Sequence, residues 1–62
     1  MESTNWQNQL TFGIIEIQYK LDDAKKHSDK NEEVKKAYED AINATREARE
    51  AIHHFVTTYN NT

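Results

Sequence analysis

The sequence predicts an all-α fold, an antiparallel hairpin of two helices that assembles into a homo-oligomeric helical bundle. Three observations support this prediction. Proline is absent from the 62 residues and Gly13 is the only glycine, so tight turns and phosphate-cradling loops lack their usual residues. Strong helix formers dominate residues 20–54. Apolar residues recur at helical spacing in both halves of the chain, which we treat as one domain, residues 1–62.

The first helix is expected over about residues 4–27. Within it, residues 12–21, FGIIEIQYKL, also alternate between apolar and polar side chains, which is the period of a half-buried strand. The helical pattern is longer, because one apolar stripe continues over roughly five turns. This inward stripe comprises Trp6, Leu10, Ile14, Ile17, Leu21 and Ala24. An intermolecular strand, as in ribbon-helix-helix proteins, stays open as the alternative, since Gly13 costs a helix interior about 1 kcal/mol.

A second apolar stripe on the first helix lies roughly opposite the inward stripe, by the helical angle of about 100° per residue. It consists of Phe12, Ile15 and Tyr19. One stripe can pack on the second helix, which leaves the other for another chain. Leaving three large apolar side chains in water forfeits roughly 1.5–3 kcal/mol each, a large loss for a marginal fold. We therefore expect a homodimer or a higher oligomer.

Trp6, near the start of the chain, has two interpretations. It can act as a plug where the first helix covers Ala51, Ile52 and Phe55 of the second. It can instead face a partner, because exposed tryptophan is a frequent hot spot of protein interfaces. We include Trp6 with the second stripe among the candidate interface residues.

The second helix is expected over about residues 30–59. From Val34 to Tyr59 apolar or small residues alternate steps of four and three, which is a heptad seam over nearly four repeats. The opposite side of this helix carries charged residues that can form pairs four residues apart. A long amphipathic helix is the structure that this pattern predicts.

The polar run HSDKNEE, residues 27–33, indicates the bend between the helices. Ser28 or Asp29 can cap the free amides at the start of the second helix. Glu32 follows Asp29 by three residues and can complete a capping box. The chain is therefore expected to bend once, near residues 27–30.

Composition and charge exclude several classes of protein. The chain has no cysteine, so neither disulfides nor thiolate-held zinc can stabilise it. No basic region precedes an apolar run, and no stretch approaches the roughly 20 apolar residues of a membrane span. We therefore expect a cytoplasmic protein that does not bind membranes. A net charge of −3 argues against DNA as a partner, because general binding to nucleic acid requires neutralisation of phosphates.

No arrangement of residues indicates catalysis, so we expect neither enzyme activity nor a cofactor. A nucleophile paired with a base is missing, and one thin hairpin offers no concave pocket within a single chain. The closest approach to a metal site is the E-x-x-H spacing of Glu50 and His53, as in carboxylate-bridged di-iron bundles. Glu50 projects away from the inward side, so a solvated helix end is the preferred interpretation and a metal-handling bundle is an alternative.

The candidate ligand site is a basic flank of the second helix. Its residues are Lys35, Arg46, Arg49 and His53. Guanidinium groups aligned in this way can hold a phosphate or the carboxylates of a partner. Tyr19 of the first helix can add a surface on which an aromatic ring stacks. The ordinary alternative is a solvated flank or subunit rim, with Arg46 neutralised by Glu50 one turn further along.

The stretch EEVKKAYEDAINATREAREAI, Glu32–Ile52, follows the polar bend HSDKN and an upstream YKLDD. With its aromatic-acidic-acidic-alanine step at Tyr38–Ala41, it resembles the phage-encoded helical-hairpin proteins that sequester cyclic-nucleotide signals of bacterial defence systems, the anti-CBASS and anti-Thoeris type. The resemblance implies a small hairpin that assembles into a higher oligomer and binds ligands between protomers. Where members of that family carry an aromatic and alanine-rich run, this chain has Asn43–Arg46, and no ligand residue is carried over.

The sequence thus predicts a non-enzymatic, oligomeric binding protein, a small regulator or inhibitor of phage or bacterial origin. One hypothesis is that it sequesters a nucleotide signal at a subunit interface lined by Arg46, Arg49 and His53. A second is that it inhibits a host protein by docking through the second stripe or Trp6. The alternative from another class is a ribbon-helix-helix-like DNA-binding regulator, with the paired strand at residues 15–21.

Overall fold

The computed structural model describes residues 4–62, which form two α-helices joined by a short 3₁₀ segment. α1 spans Asn5–Ala24, the 3₁₀ segment spans Lys25–Lys30, and α2 spans Glu32–Asn60. No strand occurs in this part of the chain, and residues 12–21 lie wholly within α1. The all-α prediction is confirmed, and the strand that the ribbon-helix-helix alternative needs is absent from the described residues. Neither of these helices is long and apolar enough to cross a membrane.

α1 ends at Ala24, three residues earlier than expected. Tyr38 of α2 donates a 2.7 Å hydrogen bond to the backbone carbonyl of Leu21, the acceptor that the Lys25 amide would use in a continuing α-helix. The Lys25 amide donates instead to the carbonyl of Asp22, three residues back, which is the 3₁₀ pattern. The helix therefore tightens where a side chain from α2 binds its carbonyl.

α2 is capped by Asn31, whose backbone is extended with φ −165° and ψ 176°. The side-chain oxygen Oδ1 of Asn31 accepts a 2.8 Å hydrogen bond from the Val34 amide. Ser28 is buried within the 3₁₀ segment, where its hydroxyl donates to the carbonyl three residues earlier at 2.6 Å. The prediction that Ser28 or Asp29 caps α2 is therefore wrong, because both residues still lie inside the preceding 3₁₀ turns.

Contacts between the helices hold the first turn of α1 against the last turns of α2. Gln7 and Asn60 exchange two side-chain hydrogen bonds, of 3.0 Å and 3.2 Å. The ring centroid of Trp6 lies 5.6 Å from that of Phe55 and 5.1 Å from that of Tyr59, the second pair edge to face. Trp6 is half-buried by this aromatic cluster, as its interpretation as a plug requires.

Burial within the single chain is slight. Among the described residues only Ile14, 9% exposed, and Ser28, 6% exposed, are buried. Leu10 and Ile17 belong to the stripe expected to pack on α2, yet they are 37% and 51% exposed. Two helices touch along one line, so residues turned roughly 40–60° from that line stay uncovered. The covered part of the inward stripe is therefore narrower than predicted.

The molecule is a thin slab. Its principal extents are 51 × 17 × 9 Å and its radius of gyration is 15.0 Å, against about 11 Å for a compact chain of this length. The accessible surface is 5350 Å², whereas a compact monomer of the same mass exposes about 4,200 Å². Roughly 1,200 Å² of surface is thus exposed that a compact fold would cover.

Candidate functional site

A groove runs between α1 and α2 beside the basic flank and has a volume of about 420 Å³. We call it the arginine groove. The residues of its lining that matter here are Ile15, Gln18 and Tyr19 of α1 and Ile42, Arg46 and Arg49 of α2. An adjoining hollow of about 490 Å³ shares Gln18 and both arginines and adds Glu50 and His53. The structure therefore brings Arg46, Arg49 and Tyr19 to one groove, with His53 next to it.

The spacing of residues along each helix accounts for this lining. Ile42, Arg46 and Arg49 are four and three residues apart, so their side chains project from successive turns of one side of α2. On α1, Ile15 and Gln18 are three residues apart and line the opposite wall in the same way. Because both walls are helical, the backbone holds the Cα atoms of Arg46 and Arg49 at a fixed axial separation of about 4.5 Å.

The two arginines have few partners within the chain. Nη1 of Arg49 donates a 3.2 Å hydrogen bond to Oε1 of Gln18, which is a neutral acceptor. Within residues 4–62, the side chain of Arg46 forms neither an ion pair nor a hydrogen bond. The expected neutralisation of Arg46 by Glu50 is not formed. Most donors of both guanidinium groups are therefore free to bind an anion.

Charge in the arginine groove is positive although the whole chain is acidic. Two guanidinium groups and one carboxylate, Asp22, line it, whereas the chain carries a net charge of −3. A local excess of positive charge in an acidic protein favours small anions over extended polyanions, because the surrounding acidic surface repels the latter.

Aromatic and apolar surface adjoins these charges. Tyr19, on the groove wall, is 69% exposed, and the neighbouring Phe12 is 67% exposed. Ile15 is half-buried and contributes apolar surface to the groove. The exposure of Phe12 and Tyr19 leaves the second stripe uncovered within the chain, and its docking on a host protein stays a prediction.

Lys35 lies apart from the arginine groove. It lines a different hollow, of about 680 Å³, next to the bend, together with Lys25, Asp29 and Glu39. Lys35 precedes Arg46 by 11 residues, which is about 16 Å along the helix axis, although both residues project from the same flank. Lys35 therefore lies too far along α2 to belong to the same site as Arg46 and Arg49, although the sequence grouped the three residues together.

Gln18 and Asp22 are groove residues that the sequence analysis missed. Gln18 holds Arg49 by its side-chain oxygen, and Asp22 places a carboxylate in the groove. Both lie within two turns of Ile15 on α1, so their shared side of the helix was visible in the spacing. The missing information was which turn of α1 lies beside Arg46 and Arg49.

A metal site finds no support in the described residues. Within residues 4–62, no three side chains among histidine, aspartate and glutamate come together as a cluster able to hold an ion. Glu50 and His53 do line one hollow, but Arg46 and Arg49 line it too. The charge of the guanidinium groups opposes binding of a cation there.

Residues 4–62 thus define a small all-helical protein with two helices and a groove lined by arginines between them. Comparison with known protein families, with curated proteins and with solved structures gives no match. The resemblance of Glu32–Ile52 to the phage-encoded hairpin proteins stays a prediction.

Proposed function

We propose that this chain is a non-enzymatic binding protein. In this proposal its two helices pair as an antiparallel hairpin, the hairpins self-associate, and the arginine groove takes a small ligand that carries both negative charge and an aromatic ring, such as a nucleotide. The observation that carries the proposal is the pair Arg46 and Arg49, which line one groove with no ion pair to either within residues 4–62. The cytoplasm is the proposed location, because it contains such nucleotides.

Contacts at both ends of the slab support the hairpin. Gln7 bonds to Asn60, 53 residues further along the chain. At the opposite end Tyr38 bonds to Leu21, only 17 residues away. Long sequence separation at one end and short separation at the other is the pattern that two antiparallel helices produce.

The thinness of the slab supports self-association. Ile14 is the one apolar side chain buried within the described residues. The surplus of roughly 1,200 Å² of accessible surface exceeds the ~800 Å² that each partner contributes to a standard interface. A second copy is therefore large enough to supply the core that a single chain lacks.

The chemistry of the groove supports a nucleotide. Arginine binds phosphate oxygens through paired N–H donors, and Arg46 and Arg49 offer such donors in adjacent turns. The exposed ring of Tyr19 is a surface on which a base can stack. A volume of about 420 Å³ lies within the range of ~300–1,000 Å³ typical of small-molecule sites.

The test is calorimetric titration with AMP, a cyclic dinucleotide, inorganic phosphate and uncharged adenosine. We expect the two nucleotides to bind more tightly than phosphate or adenosine, and we expect added salt to weaken them. In the double variant Arg46→Gln, Arg49→Gln we expect a loss of affinity of at least about tenfold, since charge-assisted hydrogen bonds contribute roughly 1.5–3 kcal/mol.

Lys35→Gln is the matched control for this titration, because it removes a positive charge from the same flank but from a different hollow. Its affinity for nucleotides should equal that of the unchanged protein. Absence of binding heat with every nucleotide, or equal affinity in the double arginine variant, would contradict the assignment of the groove.

A further inference from the structure

The geometry points to one broad side of the slab as the surface that docks a second copy of this chain, with α1 of each copy lying on α2 of the other. We call this side the uncharged face. It is formed by Leu10, Gly13 and Ile17 of α1 and by Ala44, Ala48 and Phe55 of α2. The inference rests on the proposed self-association and adds which surface is used and which helices meet.

Contacts between the helices distinguish the two broad sides of the slab. On one side Arg49 bonds to Gln18 and the arginine groove opens. On the other side the Trp6 ring packs against the rings of Phe55 and Tyr59. Every other residue can be placed on one side or the other by its helical angle relative to these contacts.

On α1 the angle is measured from Ile14, which is buried and therefore faces α2. With about 100° per residue, Leu10, Gly13 and Ile17 turn roughly 40–100° toward the side of Trp6, while Gln18 turns the opposite way. Leu10 is 37% exposed and Ile17 is 51% exposed. Two large apolar side chains of α1 thus project from the same side as the aromatic cluster.

On α2 the angle is measured from Phe55, which contacts Trp6 and is 52% exposed. With about 100° per residue, a row of small residues lies on the same side of α2 as Phe55. The row comprises Ala37, Ala41, Ala44, Ala48 and Ala51. Charged residues on this side occur only at its two edges: Glu16 and Lys20 on α1, which form an ion pair of 3.1 Å, and Glu33, Asp40 and Glu47 on α2. Covering the uncharged face therefore removes apolar surface from water without burying a charge.

Gly13 lies on this face, and no contact within the chain requires a glycine at this position. A methyl group at Gly13 would have no heavy atom within 4 Å, and the φ angle of Gly13 is not positive. Glycine costs a helix interior about 1 kcal/mol relative to alanine. Close approach of a helix from another copy is a use for the missing side chain that the slab itself does not supply.

The dimensions of the slab favour a broad side over a narrow edge. Between Cα positions a broad side extends over 51 × 17 Å, while an edge extends over 51 × 9 Å. A standard interface takes ~800 Å² from each partner. The second stripe, with Phe12 and Tyr19, projects toward the outer edge of α1, which is the narrower of the two surfaces.

Charge at the edges decides which helices meet across a two-fold axis. If α2 packs on α2, the acidic edges carrying Asp40 and Glu47 approach each other and repel. If α1 packs on the α2 of the other copy, the edge that carries Lys20, paired with Glu16 at 3.1 Å, approaches that acidic edge instead, so that two acidic edges do not meet. The second arrangement also places Leu10 and Ile17 over the alanine row, so that large side chains fill the space above small ones.

In this dimer both arginine grooves remain on the outer sides. The interface and the groove use opposite broad sides of the slab, so a second copy does not cover Arg46 or Arg49. The two proposals are therefore distinguishable, because nucleotide binding can be measured on the dimer and self-association can be measured without nucleotide. Failure of one does not imply failure of the other.

Sedimentation equilibrium of two matched variants tests the face. Ile17→Glu and Phe12→Glu each replace an exposed large apolar residue of α1 by the same charged one, on different sides of the slab. We expect the unchanged protein and Phe12→Glu to be dimers, and Ile17→Glu to dissociate at least about tenfold more readily. If Ile17→Glu dimerises as tightly as the unchanged protein, the uncharged face is not the dimer interface. If the unchanged protein is a monomer, the proposal of self-association is itself wrong.

A charge exchange tests the pairing of helices and does not depend on the folding of one variant. Lys20→Glu alone and the double variant Asp40→Lys, Glu47→Lys alone should each dimerise several-fold more weakly than the unchanged protein. When the two are mixed with different fluorescent labels, energy transfer should show heterodimers of restored affinity. If mixing restores nothing, α1 does not lie on the α2 of the other copy.

Discussion

Tyr38 ties the end of α1 to α2 through one phenolic proton. Its hydroxyl donates to the carbonyl of Leu21 at 2.7 Å. Partial burial raises the pKa of this hydroxyl, and the nearby carboxylate of Asp22 raises it further. A pKa higher in the folded than in the unfolded chain means that the folded state holds the proton more tightly. The resulting stabilisation is complete below the ordinary tyrosine value of about 10 and is lost as the pH rises through the folded-state value.

Replacing Tyr38 by phenylalanine should therefore reduce the sensitivity of the fold to alkali. We expect the free energy of unfolding of the unchanged protein to fall more steeply with pH above about 10 than that of Tyr38→Phe. Urea denaturation followed by circular dichroism, repeated from neutral pH to about pH 11, measures both slopes. Tyr19→Phe, at a residue that is 69% exposed, is the control and should keep the unchanged slope. Parallel slopes for the unchanged protein and Tyr38→Phe would refute this role.

At the scale of single residues, helical spacing predicts the side of the helix from which a side chain projects. It does not predict which residues of the neighbouring helix lie beside that side chain. The spacing of Arg46 and Arg49 suffices to place both on one flank, and the structure agrees. The same reasoning assigns Lys35 to that flank, yet Lys35 lies in another hollow. Gln18 could not be paired with Arg49 from the sequence, because periodicity within one helix does not determine how far that helix slides along its neighbour.

The start of α2 shows how backbone geometry selects a capping residue. Ser28, Asp29 and Asn31 all have side chains that can cap a helix. Only Asn31 stands at the point where the backbone becomes extended before the first turn of α2, and its side chain binds the Val34 amide. The cap therefore depends on where the 3₁₀ segment ends rather than on residue type.

Removing this cap should destabilise α2. We expect Asn31→Ala to lower the free energy of unfolding by about 1 kcal/mol, since the Val34 amide loses its acceptor. Asp29→Ala removes the residue that the capping-box pattern favours and should change stability by less than about 0.5 kcal/mol. Chemical denaturation of both variants at one protein concentration gives the comparison. A larger loss of stability in Asp29→Ala than in Asn31→Ala would indicate that Asp29, and not Asn31, caps α2.

At the scale of elements, periodicity is sufficient for the existence and type of both helices. Residues 12–21 are helical because the stripe that contains them is too long for a strand, as the sequence analysis argued. The end of α1 could not be predicted, since it coincides with the bond from Tyr38 to Leu21, which forms only when the helices pack. Tertiary contacts thus determine the boundaries that local pattern leaves open.

The slab as a whole has almost no interior of its own. Ile14 is the only apolar residue of the described chain that is buried, so the free energy of folding is expected to come largely from association. The sequence alone predicts this need for a partner from its surplus of apolar residues. It indicates the second stripe as the surface left for another chain, whereas our proposal places a second copy on the uncharged face, because Leu10 and Ile17 of the inward stripe stay exposed beside the line of contact.

If folding and association are coupled, the thermal midpoint must depend on protein concentration. For a dimer, a tenfold rise in concentration adds about 1.4 kcal/mol to the apparent stability, which should raise the midpoint by several degrees. Circular dichroism over a hundredfold range of concentration measures this shift. A constant midpoint for the unchanged protein would show that the single chain is stable alone.

The near absence of an interior also has a consequence inside a cell. A chain that folds completely only when it binds a second copy of itself is exposed to proteases for as long as its copies are scarce. If folding requires the self-association proposed above, each newly made copy protects another from degradation, and abundance rises in a self-reinforcing way. Such a gene product would act above a dosage threshold and be cleared below it.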